Sequence, residues 1–239
     1  MQPLKSLQRL ILNSVPESFF ARLSARQAVL YEEARAMAFS APWGNPEAES
    51  VFPINRRALM ENEVRRSARE NKLSCDDSRH LGDNCGYVLV QAGKLRITTH
   101  HVDKPTRFVP PCRSRQQNAA VNDWLDTPYF EELLQELPPR LGDADSANVY
   151  LLHGLIVEKR AGKSYPSLFM RMAFPDAELA RYVCNYDVLD LLQLYGADGE
   201  SVAGSPNGGG GSLPDNARPV LNIKPEKEAV TGEPKKRGG

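Results

Sequence analysis

"SCDDSRHLGDNCG" carries the nearest thing to a metal-ligand set in this 239-residue chain: Cys75, His80 and Cys85, with Cys112 as a fourth thiol further on. Zinc sites usually present two ligands from one tight turn. A lone histidine centred between two thiols, with four residues between it and each, does not supply that pairing. The segment reads as a polar loop, and no metal is expected.

His100 and His101 are adjacent in "KLRITTHHV". Successive side chains of a strand point to opposite faces, so the two cannot work as a pair. His101 falls on the apolar face, as a core or rim histidine with one hydrogen bond. His100 falls with Lys94 and Arg96 on the polar face, in solvent among cations and without a carboxylate partner. His153, in the middle of "YLLHGLIV", reads as a core histidine. Glu158 and Lys159 are likewise adjacent, which separates them across a sheet, whereas a metal-dependent nuclease needs an acid and a lysine on one face.

Stronger signatures are absent. No phosphate-cradling glycine loop ends in Lys-Ser/Thr, and no dinucleotide fingerprint follows a strand. There is no paired-histidine zinc helix, no Gly-x-Ser-x-Gly elbow and no zinc-deaminase pattern. No cofactor is implied, and no catalytic residue can be assigned.

The positive signal is basic. Arg65, Arg69 and Lys72 recur as one helical stripe. Lys94, Arg96 and His100 share a strand face with the aromatic Tyr87, and Arg113 and Arg115 follow in the next loop. Cations interleaved with an aromatic suit phosphate contact and base stacking, so these nine residues form the candidate nucleic-acid surface.

Positioning them requires a coarse order of α-α-β-β-α-β-β-β-α. "SVPE" at Ser14–Glu17 fits a capping box, and Phe20, Leu23, Leu30, Ala34 and Met37 predict a helix over 15–38. "SAPWGNPEAESVFP" predicts a break before a second helix over 55–72, whose apolar stripe is Met60, Val64 and Ala68. The period then changes to two: "YVLVQ" and "KLRITTHHV" predict a hairpin turning at Ala92-Gly93, with Val88, Val90, Leu95, Ile97 and Thr99 on one face. "RQQNAAVNDWLDTPYFEELLQEL" returns to helix. "NVYLLHGLIVEKR", "SLFMRMAF" and "LARYVCN" predict a three-stranded antiparallel meander, and "DVLDLLQLYG" a last helix ending at Gly196. The expected fold is α+β: one domain over 1–196, with a mainly antiparallel sheet packed by helices.

Composition is that of an ordinary globular chain, 41% hydrophobic and 25% charged. The longest apolar runs fall short of the roughly 20 residues of a membrane span, so no membrane is expected. The N-terminus lacks a signal-peptide cleavage pattern, so the four cysteines read as reduced thiols and the location as cytoplasmic. The zero net charge conceals an asymmetry of +6 over 1–115, −8 over 116–200 and +2 beyond.

From about residue 197 the chain turns rich in Gly, Ser, Pro and Asn, then Lys and Glu, which predicts a disordered tail over 197–239. Near 218–225 it carries "RPVLNIKP", a short apolar phrase between prolines. Val220, Leu221 and Ile223 have the form of a peptide that adds a strand to a sheet edge. The resulting expectation is a non-enzymatic cytoplasmic interaction protein with a protein partner and a tethered docking peptide, in a nucleic-acid-associated or regulatory complex. The alternative is a small nuclease-like enzyme using the basic face with His100 as acid/base. Nothing in the sequence fixes an oligomeric state.

Overall fold

A computed structural model describes residues 3–40, 44–79, 86–126, 146–160 and 163–197. The tail phrase with Val220, Leu221 and Ile223, and also His80 and Cys85, lie outside the described residues.

Three helices come first: α1 (Pro3–Ser14), α2 (Glu17–Phe39) and α3 (Asn45–Glu70). The capping box is not used. Ser14 belongs to α1, and Pro16, extended at φ −62° and ψ 143°, is the N-cap of α2 without a side-chain cap bond. Proline has no amide to donate and its fixed φ suits the helix entry, so the break falls at Pro16 and not at the serine.

α2 buries Phe19, Phe20, Leu23, Leu30, Tyr31 and Ala34 at helical spacing. α3 begins ten residues before the expected start. One of its prolines, Pro46, sits in the first turn, where amides are unbonded in any helix, and Pro53 is tolerated inside. α3 runs antiparallel to α2, tied by Arg22 Nε to Glu63 Oε1 at 2.6 Å and by Ser67 Oγ donating to the Phe19 carbonyl at 3.2 Å.

One six-stranded sheet follows the order of the chain: β1 (Ser74–Arg79), β2 (Gly86–Ala92), β3 (Leu95–His101), β4 (Ala147–Arg160), β5 (Lys163–Pro175) and β6 (Tyr182–Asp187). All neighbours are antiparallel except β3 and β4, which are parallel. The expected hairpin and meander are therefore joined through that parallel pair.

β1 replaces part of the expected polar loop. As an outermost strand it needs one hydrogen-bonded neighbour and little apolar surface, so its composition gives no strand signal. The β3–β4 crossover contains α4 (Arg113–Ala119) and a 3-10 helix (Ala120–Asp126). Asn122 fixes that helix to the sheet: its Nδ2 donates to the Asn148 carbonyl at 2.8 Å and the Pro175 carbonyl at 2.7 Å, and its Oδ1 accepts from the Asn148 amide at 2.7 Å. The chain closes with α5 (Val188–Ala197), whose Tyr195 hydroxyl donates to the Val15 carbonyl.

The main core lies between the helices and one sheet face. Leu7, Ile11, Phe20, Met60 and Val64 meet Val88, Val90, Ile97, Val149 and Leu151 there, all essentially inaccessible. A smaller cluster on the other face gathers Val102, Val109, Ala119, Tyr150, Leu152 and Phe169. The alternation read from β2 and β3 thus assigns the correct side to the core. No helix among the described residues is long and apolar enough to cross a membrane.

Candidate functional site

β3 pairs with β4 along its whole length, from Leu95 opposite Ala147 to His101 opposite His153. Against β2 the pairing runs only from Ala92–Leu95 to Leu89–Thr98. Gly86–Val88 of β2 continue alongside β1 instead. The sheet therefore forks at Thr99, and Thr99, His100 and His101 border a gap on the side where β2 would have continued. A cleft of about 220 Å³ occupies this fork. Because the gap interrupts the sheet, side chains from both faces reach it: His101 and His153 from the helical side, His100 from the α4 side.

α3 supplies one wall through Pro53, Arg56, Arg57 and Glu61, and the segment before α4 supplies the other through Val109, Pro110 and Arg115. That second wall is strapped to β6: the Val109 amide donates to the Tyr182 hydroxyl at 3.1 Å, and Asn185 Nδ2 donates to the Pro105 carbonyl at 2.9 Å. Arg115 donates to the Pro110 carbonyl.

Arg56 is the most unusual residue of the cleft. It is only 9% exposed. Its guanidinium lies over Tyr31 at 5.2 Å and Phe52 at 5.0 Å. It has no carboxylate partner among the described residues, and its Nε is buried without a hydrogen-bond partner. Burial accordingly lowers its pKa. Thr99, 8% exposed, has a buried hydroxyl in the same condition. A buried polar group without a partner costs about 1–3 kcal/mol, and a charged one more; two such groups line this cleft. Arg57, by contrast, is paired with Glu61 at 2.8 Å.

The three histidines are held neutral. His100 is pushed down to about 3 by burial, with Arg115 and Arg57 adding to it. His101 is pushed down to about 4 by burial and Arg56, against the weaker pull of Asp103. Burial carries His153 well below the ordinary value, with His101 and Arg56 adding to it. His153 Nδ1 and the Tyr31 hydroxyl share a hydrogen bond of 2.8 Å. His100 Nε2 and Thr98 Oγ1 share one of 3.0 Å.

Two sequence expectations change here. His100 does not stand in solvent; it is half-buried, edge-on to Tyr150 at 4.4 Å between ring centres, because α4 and its preceding segment cover that sheet face. The His101 side chain has no hydrogen bond among the described residues and lines the cleft.

The remaining basic residues divide between the two sides of the sheet. Arg65, on α3, donates to Asn62 Oδ1 at 2.6 Å. Arg69 is exposed near the end of α3, and Lys72 lies beyond it in a left-handed turn at φ 57°, off the helical stripe. On the opposite face Asn118 joins Tyr87 and Arg96, at 3.1 and 3.4 Å. Lys94 sits in the β2–β3 turn, and Arg113 is exposed at the start of α4. Of the nine, only His100 and Arg115 enter the cleft.

Sequence reasoning missed Arg56, Arg57, Glu61 and Thr99 as site residues. One signal was present: Arg56 heads the series 56, 60, 64, 68, so a cation occupies the first position of an apolar stripe. Among the described residues no group of three or more His, Cys, Asp or Glu is placed to hold a metal.

No family model matches this chain, and no similar protein was found among the curated proteins or solved structures compared with it.

Proposed function

We propose that the chain is a binding protein whose forked-sheet cleft holds an anionic group of its ligand. The observation that carries this reading is Arg56, a guanidinium nine-tenths buried between two aromatic rings with no counter-charge among the described residues. Arginine's planar fork matches phosphate and carboxylate oxygens, and Arg57 and Arg115 flank it. Neutral imidazoles add hydrogen-bonding groups without adding charge. Binding is favoured over acid–base chemistry at His100, because an efficient proton shuttle titrates near the working pH and burial pushes His100 down to about 3.

The test is thermal denaturation of the full chain with inorganic phosphate at constant ionic strength. A ligand at 100 times its Kd stabilises by about 2.7 kcal/mol, so the melting temperature should rise, and Arg56→Gln should abolish the rise. No rise in the wild-type chain would refute the reading.

A protein partner and a cytoplasmic location belong to the same proposal. Cys112 and Cys184 form no disulfide among the described residues, in keeping with a reducing compartment. The C-terminal phrase is proposed as the partner-docking peptide. Replacing Leu221 and Ile223 by Asp should weaken partner capture, and unchanged capture would remove the tail from the reading.

A further inference from the structure

The geometry points to a phosphate monoester on a small molecule as the group this cleft takes, an inference that rests on the anion-binding reading. Three guanidiniums line the cleft, those of Arg56, Arg57 and Arg115, against one carboxylate, Glu61. With the histidines uncharged, three positive charges less one negative leave +2. A carboxylate or a phosphodiester carries one negative charge and offsets one of the two guanidiniums, Arg56 and Arg115, that Glu61 does not pair with. A phosphate monoester carries about −1.5 to −2 at neutral pH, which matches the cleft.

The donors agree with the charge. A monoester presents three non-ester oxygens, each able to accept more than one hydrogen bond, whereas a diester presents two. Facing them are the Arg56 guanidinium and the Thr99 hydroxyl, both more than nine-tenths buried and without hydrogen-bond partners among the described residues. His101 brings a ring that packs edge-on to His153 and has no hydrogen-bond partner among those residues.

The size also selects. The volume of the cleft is about 220 Å³. It lies below the ~300–1,000 Å³ of pockets that enclose a drug-sized ligand. It admits a phosphate and a few further heavy atoms. The wall of Val109 and Pro110 faces α3 across it.

Calorimetric titration of the full chain near pH 7.5, where the second phosphate ionisation at about 6 is complete, tests this. The probes are glycerol phosphate, dimethyl phosphate, acetate, and one short DNA oligonucleotide made with and without a 5′-phosphate. The expected result is binding of glycerol phosphate at least about tenfold tighter than dimethyl phosphate or acetate, the worth of one charge-assisted hydrogen bond. The 5′-phosphorylated oligonucleotide should bind no tighter than glycerol phosphate. Arg56→Gln, or Thr99→Val should the first variant fail to fold, should reduce the monoester preference.

Equal affinity for monoester and diester would overturn the inference and leave the anion-binding reading standing. A phosphorylated oligonucleotide that binds far more tightly than both its unphosphorylated form and glycerol phosphate would overturn the small-molecule source. Binding of none of the probes would sink both.

Discussion

His100, His101 and His153 are packed together in an uncharged state, so acid should unfold this protein earlier than its carboxylates alone would require. The sign follows from proton counting. Each imidazole titrates lower in the folded chain than at its ordinary value near 6.5, so below that pH the unfolded chain binds more protons. The stabilisation is fully present above about pH 6.5 and is lost as the pH falls toward the folded values of about 4 for His101 and 3 for His100.

At about pH 5 the unfolded His100 is protonated and the folded one is not. The gap of ~1.5 pH units below 6.5, at about 1.36 kcal/mol per unit, gives about 2 kcal/mol from this residue alone. His153 acts in the same direction, and the more open His101 contributes less. Against a total stability of about 5–15 kcal/mol this is a large fraction. It corresponds to a urea midpoint lower by roughly 1 M.

The assay is urea denaturation followed by tryptophan fluorescence in phosphate-free buffers from about pH 7.5 to 5. Asp and Glu near their ordinary values add little in that window. His100→Asn should flatten the pH dependence by about 2 kcal/mol at pH 5 while costing its Thr98 hydrogen bond at every pH. A midpoint that does not move with pH, or that rises on acidification, would refute the reasoning.

Two substitutions probe the cleft from different sides. Arg56→Met should leave the unliganded fold as stable or more so, by up to about 4 kcal/mol, because an apolar chain replaces an uncompensated buried cation between Tyr31 and Phe52; phosphate binding should disappear. A clearly lower melting temperature would show that the guanidinium is already satisfied. Gly154→Ala should cost about 3 kcal/mol or more. The new Cβ would lie 2.1 Å from the Val102 carbonyl and 2.4 Å from the Phe169 ring, while the Val102 amide is held by the His153 carbonyl at 3.0 Å. A variant that melts like the wild type would contradict that close approach.

Local periodicity was enough for the elements whose burial is one-sided. Val88 and Val90, then Leu95 and Ile97, alternate into the core, and Gly93, at φ +54°, supplies the left-handed turn between them, so the hairpin was legible. The face of α2 was readable for the same reason, and the strands of the meander as apolar runs between turns, β4 being buried on both faces. β1 was not, because an edge strand with one neighbour needs no alternating apolar side chains. The early start of α3 was hidden by prolines that look like breaks in sequence and are compatible with helix in their actual positions.

The cleft lay further from reach. Alternation sent His100 and His101 to opposite faces, which is how they lie in β3, but it could not show that β2 leaves β3 at Thr98 and opens both faces to one gap. Nor could it show that β4 returns parallel to β3, setting His153 beside His101, or that Arg56 and Arg115 approach from helices on opposite sides of the sheet. Each of these is a contact between segments distant along the chain, and no local pattern encodes it. The sequence determined which residues are polar or apolar at each turn of helix and strand. Only the tertiary structure decided that a buried arginine, an unpartnered threonine and three neutral histidines would share a single cavity, because strand pairing and helix packing, not spacing, bring them together.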